Sequence, residues 1–363
     1  MRLVKRITAA AMALTMTAAL AGCGSSSGNT DTTAAAVTEK AADGSSAEAG
    51  STSVSIDRAK EFVTVATGPT SGIYYPIGGA FATALGNAGY KTSAFGKWGL
   101  GYIGSTGDPK NQGCDTFYGY NCQLLAHSYY PDHLWDNDKR VELEDNNLNV
   151  QYGKGTYSQD LIHGKALKYL DNMNPDEPFF MWYPTIIPHA ELIVPEDSII
   201  QKFRGMYPEK PYKGTEPGSP AFRKGGYCSQ FHPHATFAAM VYRLDVYVGQ
   251  IIQKLKDKGL YDNTIIIFAS DNGPHMEGGA DPDFFNSNGI YRGYKRDLYE
   301  GGIRVPMIIS WPGHVQPNTE TDFMCSFWDV LPTFEEIIHP KAQQKEMDGV
   351  SMLPGVATVT VVM

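Results

Sequence analysis

Asn263-Thr264-Ile265-Ile266-Ile267-Phe268-Ala269-Ser270-Asp271-Asn272-Gly273 is the stretch on which the fold turns. Ile265 to Ala269 run without a polar break and are rich in β-branched residues, as in a strand covered on both faces of a parallel sheet. Upstream, Phe237, Met240, Val241, Leu244, Val248, Ile251, Ile252 and Leu255 recur at helical spacing over 234–257, and Lys254, Lys256, Lys258 and Gly259 close that helix. Pro178-Phe179-Phe180-Met181-Trp182-Tyr183 is a second continuous apolar run and reads as another buried strand. In open α/β sheets ligands gather at the carboxyl ends of the strands, so the turn Ser270-Asp271-Asn272-Gly273 is where a site is expected. Asp271 and Asn272 offer a carboxylate and an amide oxygen side by side, a pair suited to Ca²⁺ or Mg²⁺. The same tripeptide also fits a plain Asx turn that bonds only its own backbone.

Composition narrows the class. With 42% hydrophobic and 19% charged residues, wholesale disorder and a multi-span membrane protein are excluded. The 30 Lys and Arg are outnumbered by 39 Asp and Glu, a net charge of −9, so a broad basic footprint is lacking and nucleic acid is not an expected partner. Five cysteines in 363 residues make no disulfide framework.

The first residues read as an address. Arg2, Lys5 and Arg6 precede an apolar stretch from Ile7 to Leu20 that is too short to span a bilayer stably. Leu20-Ala21-Gly22-Cys23 resembles the bacterial lipobox, which implies a signal peptide over 1–22 and lipid attachment at Cys23. The expected location is therefore outside the cytoplasm, anchored to the bacterial cell membrane by lipid. Residues 24–60 are Ser, Gly, Thr, Ala and Asp with almost no aromatics, and 23–60 reads as a flexible tether. Glu61 to Leu85 follows as a β-prone run, a Gly-rich turn and a helix-like segment whose N-terminus could receive an anion. Its Thr67-Gly68 to Tyr74-Tyr75-Pro76 stretch resembles the start of TAXI-type TRAP transporter solute-binding proteins, which bind carboxylates.

From Gly86 to about residue 354 the text is similar to another family. Gly96-Lys97-Trp98-Gly99-Leu100-Gly101, Phe117-Tyr118-Gly119-Tyr120, Ala126-His127-Ser128-Tyr129-Tyr130-Pro131, Pro188-His189-Ala190, Ser270-Asp271-Asn272-Gly273-Pro274 and Glu300-Gly301-Gly302-Ile303-Arg304-Val305-Pro306 stand in the order seen in sulfatases. The resemblance implies an α/β fold of the alkaline-phosphatase-like type, a sandwich with a central, mostly parallel sheet flanked by helices, incomplete here at both ends. It implies hydrolysis of sulfate esters, small molecules or glycans. Asp271 and Asn272 would hold one divalent cation, Ca²⁺ or Mg²⁺. Lys97 and Lys295 would hold the sulfate, and His189 would assist the leaving group. A Gly-flanked lysine can meet an anion as a point charge, although an isolated lysine is ordinarily a solvated surface group. Imidazole can exchange a proton near neutral pH, which suits His189 to its implied place. His127 reads either as a pocket contact or as a buried hydrogen-bonded group. His232 and His234 lack an i,i+4 spacing and fit a helix start. Gly99 departs from the family, in which a histidine is common at that place.

Sulfatases use a formylglycine made from Cys or Ser in a Cys/Ser-x-Pro-x-Arg motif, together with a paired Asp-Asp after the first strand. None of Cys23, Cys114, Cys122, Cys228 and Cys325 has Pro at +2 and Arg at +4, and no Asp-Asp occurs in the chain. In Ser219-Pro220-Ala221-Phe222-Arg223 the proline stands one place early. The sequence thus reads as a chimera, of the kind that a fusion of reading frames would also produce, whose 86–354 body lacks its first strand and its nucleophile. Little or no turnover is expected. The tail 355–363, GVATVTVVM, is uncharged and β-prone. A solute-binding subunit of a transporter is the alternative function.

Overall fold

The computed structural model describes residues 62–67, 74–146, 155–216, 219, 226–339 and 347–357. The expected signal peptide, Cys23, the tether and most of the Ser219–Arg223 stretch lie outside the described residues. The strands are β1 (Phe62–Thr67), β2 (Lys91–Lys97), β3 (Thr116–Tyr120), β4 (His133–Asp136), β5 (Lys139–Glu142), β6 (Phe179–Pro184), β7 (Thr264–Ala269) and β8 (Met307–Ser310). Among the described residues they form one sheet in the order β5-β4-β3-β2-β6-β1-β7-β8. The five strands from β3 to β7 run parallel, whereas β8 closes one edge and β4 and β5 the other in antiparallel pairing.

The apolar runs become central strands because both of their faces are covered. In β6, Phe179, Met181 and Tyr183 enter one core, and Phe180 and Trp182 enter the other. β7 does the same, with Ile266 on one side and Ile265 and Ile267 on the other. This is the two-sided burial that an unbroken apolar strand predicts. The helices are α1 (Tyr74–Asn87), α2 (Ser158–Asp171), α3 (Pro233–Asp257) and α4 (Val330–Ile338). α2 and α3 pack on the face of Phe179, and α1 and α4 on the face of Phe180. Phe180 meets Phe81 of α1 and Phe334 of α4 edge-on, with ring centroids 6.4 and 6.5 Å away.

α3 begins at Pro233 behind His232, so the two histidines do mark a helix start, and Gly259 with φ of 67° follows its end. The helix is tied to its neighbours by Arg243, which is 4% exposed and pairs with Asp160 of α2 at 3.1 Å and with Asp197.

Three features of the structure bear on the sequence expectations. β1 lies in the middle of the sheet, with Val63 paired to Phe180 and to Ile265, so a strand stands where the body was expected to lack one. The division at 85/86 runs through α1, whose Phe81, Ala82 and Leu85 share a core with Trp182 and Phe334. Composition and motif change at that point, but helix and core do not. In the tail, Leu353–Ala357 is helical rather than extended, and 358–363 lie outside the described residues.

Phe180→Ala removes a fully buried ring wedged between two helices, and a loss of about 3–5 kcal/mol in urea unfolding is expected. Burial raises the Asp197 carboxyl, but the Arg243 hydrogen bond and charge outweigh it and hold the group below its ordinary value. A lowered folded pKa adds stability above the unfolded value of about 3.9, which is lost as pH falls through the folded value. Urea midpoints between pH 6 and pH 2 should therefore fall less steeply for Asp197→Asn than for the unaltered chain.

Candidate active site

Lys97 is the last residue of β2 and only 1% exposed. Gly96 before it has φ of 144°, and a Cβ there would stand 2.1 Å from the Pro184 carbonyl oxygen. Only glycine lets the end of β2 lie so close to the end of β6, which sets Lys97 at the carboxyl edge of the sheet. β7 ends at the same edge and delivers Asp271, 4% exposed, and Asn272.

A second loop is fastened onto this turn. Gly273 N–H donates to the Gly302 carbonyl at 2.9 Å, and Lys295 N–H donates to the Pro274 carbonyl at 2.9 Å. A Cβ on Gly273 would stand 1.9 Å from the Gly301 carbonyl oxygen, so this seam also needs glycine. The seam carries Lys295, 8% exposed, into the interior beside Asp271.

His189 follows β6 and is 4% exposed. The Tyr129 hydroxyl donates to its backbone carbonyl at 2.7 Å. Its Nε2 is 3.0 Å from Lys295 Nζ, and its Nδ1 meets the Ala190 carbonyl. An ammonium has only donors and a carbonyl only accepts. Nε2 therefore receives the lysine proton and Nδ1 carries the ring hydrogen. In this tautomer His189 cannot give a proton from Nε2. The hydrogen between the two side chains belongs to the Lys295 ammonium, with His189 as its acceptor.

His127 stacks on His189, centroids 5.4 Å apart and planes 16° from parallel, with Tyr227 tilted against His127 at 5.7 Å. His127 Nδ1 is buried without a hydrogen-bond partner, so the ring is not a fully satisfied core group. The sequence reading did not assign His275, Glu277 or the ion-pairing role of Arg296. The His275 ring stacks on His189 at 5.3 Å, its Nε2 lies 3.2 Å from the Pro188 carbonyl, and Glu277 pairs with both His275 and Arg296. Their only sequence signal was position, just beyond the Asp-Asn-Gly turn and next to Lys295.

Electrostatics sets the pocket's preference. Burial, followed by the Lys295 charge, lowers Lys97 to about 8, opposed by Asp271 and Cys122. Lys295 is also lowered by burial, with Glu277 and Asp271 opposing. Burial pushes Asp271 up to about 7 against the pull of Lys295 and Lys97. Burial and the two lysines bring His127 to about 4, and burial and Lys295 hold His189 well below its ordinary value, so both rings are neutral at pH 7. Among the described residues Lys97 has no salt-bridge partner. Two ammonium groups out of water with so little counter-charge favour an incoming oxyanion.

For a cation, Asp271 Oδ1 is a buried acceptor without a partner, and Asn272 spends its amide hydrogen on Gly273, leaving its oxygen. The backbone N–H groups at 271 and 272 also favour the ionised Asp271 carboxylate, less strongly than burial opposes it. These two oxygens supply one side of a divalent-cation shell, whereas Ca²⁺ takes six to eight oxygen ligands. No group of three His, Cys, Asp or Glu able to hold a metal is found among the described residues. The described residues do not complete such a shell.

A mostly parallel, helix-flanked sheet with buried lysines and a histidine at its carboxyl edge is an α/β fold of alkaline-phosphatase-like architecture. The family model described as Sulfatase matches residues 79–338, and the chain belongs to the sulfatase family, a class of sulfuric ester hydrolases. The match opens inside α1. The chain is 31% identical over 294 residues to the uncharacterized sulfatase YdeN of Escherichia coli (strain K12), covering 74% of this chain and 45% of that protein. It is 26% identical over 281 residues to N-acetylgalactosamine-6-sulfatase of Homo sapiens, covering 74% of this chain and 47% of that protein. It thus spans under half the length of either relative. Among solved structures, Ps i-CgsB in complex with k-i-k-neocarrahexaose superposes with a TM-score of 0.60 at 21% identity, over 82% of this chain and 76% of that one. A protein in complex with its substrate D-glucosamine-2-N,6-O-disulfate superposes with a TM-score of 0.56 at 19% identity, over 83% and 74%. The family is generally metal-dependent.

Proposed function

We propose that this chain binds the sulfate group of a sulfate ester between Lys97 and Lys295 and turns it over slowly or not at all. The observation that carries the reading is the pair of buried lysines, 1% and 8% exposed, gathered where three loops leave one sheet edge. Both ammonium groups would donate to sulfate oxygens. Lys295 would present the proton nearest the bridging oxygen, with His189 fixing its direction through Nε2. His127, with its free Nδ1, would take a hydroxyl of the group that carries the sulfate. A sulfated sugar suits this wall of His127 and Tyr227, and the two superposed structures hold k-i-k-neocarrahexaose and D-glucosamine-2-N,6-O-disulfate. Asp271 and Asn272 would contribute two ligands to a divalent cation, which when bound would add positive charge beside the sulfate.

Slow turnover follows from the sequence, in which no Cys or Ser stands in the Cys/Ser-x-Pro-x-Arg motif and no Asp-Asp occurs. Losing a covalent nucleophile costs on the order of 10⁶ in rate. Calorimetry with 4-nitrophenyl sulfate should give saturable binding, weakened about tenfold or more in Lys97→Ala, since a hydrogen bond to a charged group contributes about 1.5–3 kcal/mol. Release of 4-nitrophenol should stay near the blank. Binding of a small dicarboxylate without any response to the sulfate ester would instead support the transporter-subunit reading. Hydrolysis that disappears in Asp271→Ala would overturn slow turnover.

We also propose that Cys23 is lipidated and holds the body outside the cytoplasm, on the strength of Leu20-Ala21-Gly22-Cys23 behind a basic and apolar leader. In a bacterial host fed labelled palmitate, the chain should carry label and Cys23→Ala should not. Equal labelling of both would sink the anchor.

A further inference from the structure

The turn that carries Lys295 into the interior also carries a second cation, Arg296. Tyr294 to Asp297 form a tight turn that is closed twice. The Asp297 N–H donates to the Tyr294 carbonyl at 2.9 Å, and the Tyr294 N–H donates to an Asp297 carboxylate oxygen at 2.8 Å. Lys295 and Arg296 are its two central residues. Arg296 has φ of 81°, and a positive φ at this third position of a turn ordinarily calls for glycine or asparagine. An arginine there carries a backbone cost that glycine avoids. Backbone outliers of this sort cluster at active sites and ligand clamps, so the side chain is the place to look for a role.

The two cations part at this turn. The Lys295 ammonium meets His189 Nε2 at 3.0 Å in the interior, whereas the Arg296 side chain is 69% exposed. Its Nη1 forms an ion pair with Glu277 Oε1. Among the described residues the guanidinium meets no other acceptor, which leaves the edge formed by Nε and Nη2 open. An exposed ion pair contributes little to stability by itself. The open edge stands at the wall of the anion pocket. A Cβ on Gly278, the residue after Glu277, would lie 3.5 Å from the Tyr227 Cβ, and the Tyr227 ring is tilted against His127. Burial and then the Glu277 charge push the Tyr227 hydroxyl up to about 12, and the Arg296 charge pulls it back. The same guanidinium adds to the lowering of Lys295 that burial begins. Arg296 thus stands within electrostatic reach of both the buried lysine and the aromatic wall.

We propose that Arg296 is a specificity residue at the rim of the anion pocket, where its open guanidinium edge binds a second anionic group, a carboxylate or a second sulfate, on the alcohol part of the ester. The substrate class that follows is a glycan with at least two anionic groups close together. This rests on the reading of the pocket as a sulfate-ester site. A guanidinium matches the oxygens of a carboxylate or sulfate with two parallel hydrogen bonds, whereas an ammonium is a point charge. The two neighbouring cations then divide the ligand. Lys295, out of water, takes the esterified sulfate, and Arg296, in water, takes the second charge. Because Arg296 is exposed, salt screens its share of binding more than that of the buried lysines.

Calorimetry on the full chain with two pairs of probes tests this. N-acetyl-D-glucosamine 6-sulfate is compared with D-glucosamine-2-N,6-O-disulfate, which adds a sulfate. N-acetyl-D-galactosamine 6-sulfate is compared with the chondroitin 6-sulfate disaccharide, which adds a carboxylate. At least one doubly charged probe should bind about tenfold tighter than its singly charged partner, the gain expected of a charge-assisted hydrogen bond. The pair that responds tells which anion Arg296 takes. In Arg296→Asn, which suits the positive φ, that advantage should vanish while monosulfate affinity and thermal melting hold. Arg296→Lys should keep only part of it. Added salt should shrink the advantage in the unaltered chain. Equal binding within both pairs by the unaltered chain overturns the proposal, and that comparison needs no variant. An advantage that survives in Arg296→Asn also overturns it, as does an equal loss for singly and doubly charged probes, which a merely structural turn residue would give. An unaltered chain that binds none of the four overturns the sulfate reading itself, whereas binding of the monosulfates without the advantage removes only the role of Arg296.

Discussion

Two ammonium groups held out of water at the carboxyl edge of a parallel sheet are the constraint around which the rest of the site is arranged. Burying one such charge is costly, and burying two close together adds mutual repulsion. Each neighbour can be understood as an answer to that cost. Asp271 supplies partial counter-charge, although burial holds its own carboxyl near neutrality at about 7. His189 offers a lone pair to Lys295, a compensation that needs no charge. What remains unmatched is the electrostatic space that an oxyanion would fill, and desolvation makes the attraction stronger there than at the surface.

The scaffold makes this arrangement possible through close backbone approach more than through side chains. At Gly96 and Gly273 a Cβ would collide with a carbonyl oxygen, and at both points the missing Cβ lets a lysine-bearing segment reach its place. β2 supplies Lys97 directly, whereas Lys295 arrives on a loop fastened by two backbone hydrogen bonds to the turn after β7. One lysine is thus as rigid as the sheet, and the other is as rigid as its fastening. The second is held in addition by the contact of its amine with His189 Nε2 at 3.0 Å.

Much of the architecture was legible because burial leaves a local trace. Unbroken apolar runs at 179–184 and 264–269 announced strands covered on both faces, and the helical spacing from Phe237 to Leu255 announced α3. Lys97, His127, His189, Asp271, Asn272 and Lys295 were found through ordered motifs, and the structure brings them to one sheet edge. Glu277 and Arg296 were not legible as partners, since a carboxylate and a guanidinium in separate loops carry no periodicity and meet only through tertiary folding. The place of β1 was hidden for the same reason. A six-residue strand between Phe180 and Ile265 is defined by its neighbours in space, which lie more than a hundred residues away in sequence.

Binding and turnover separate cleanly in such a site. The lysines act on charge that the bound sulfate already carries, so their contribution is present in the ground state and requires no nucleophile. A nucleophile acts only once a bond to sulfur begins to form, and its loss leaves the ground-state interactions in place. The fold itself is indifferent to that loss. Its two cores are built from aromatic and aliphatic side chains on both faces of the sheet, and the polar residues of the site contribute little to either. On the proposed reading, a chain with this sheet and these two lysines keeps the physical basis for binding a sulfate ester whether or not it can cleave one.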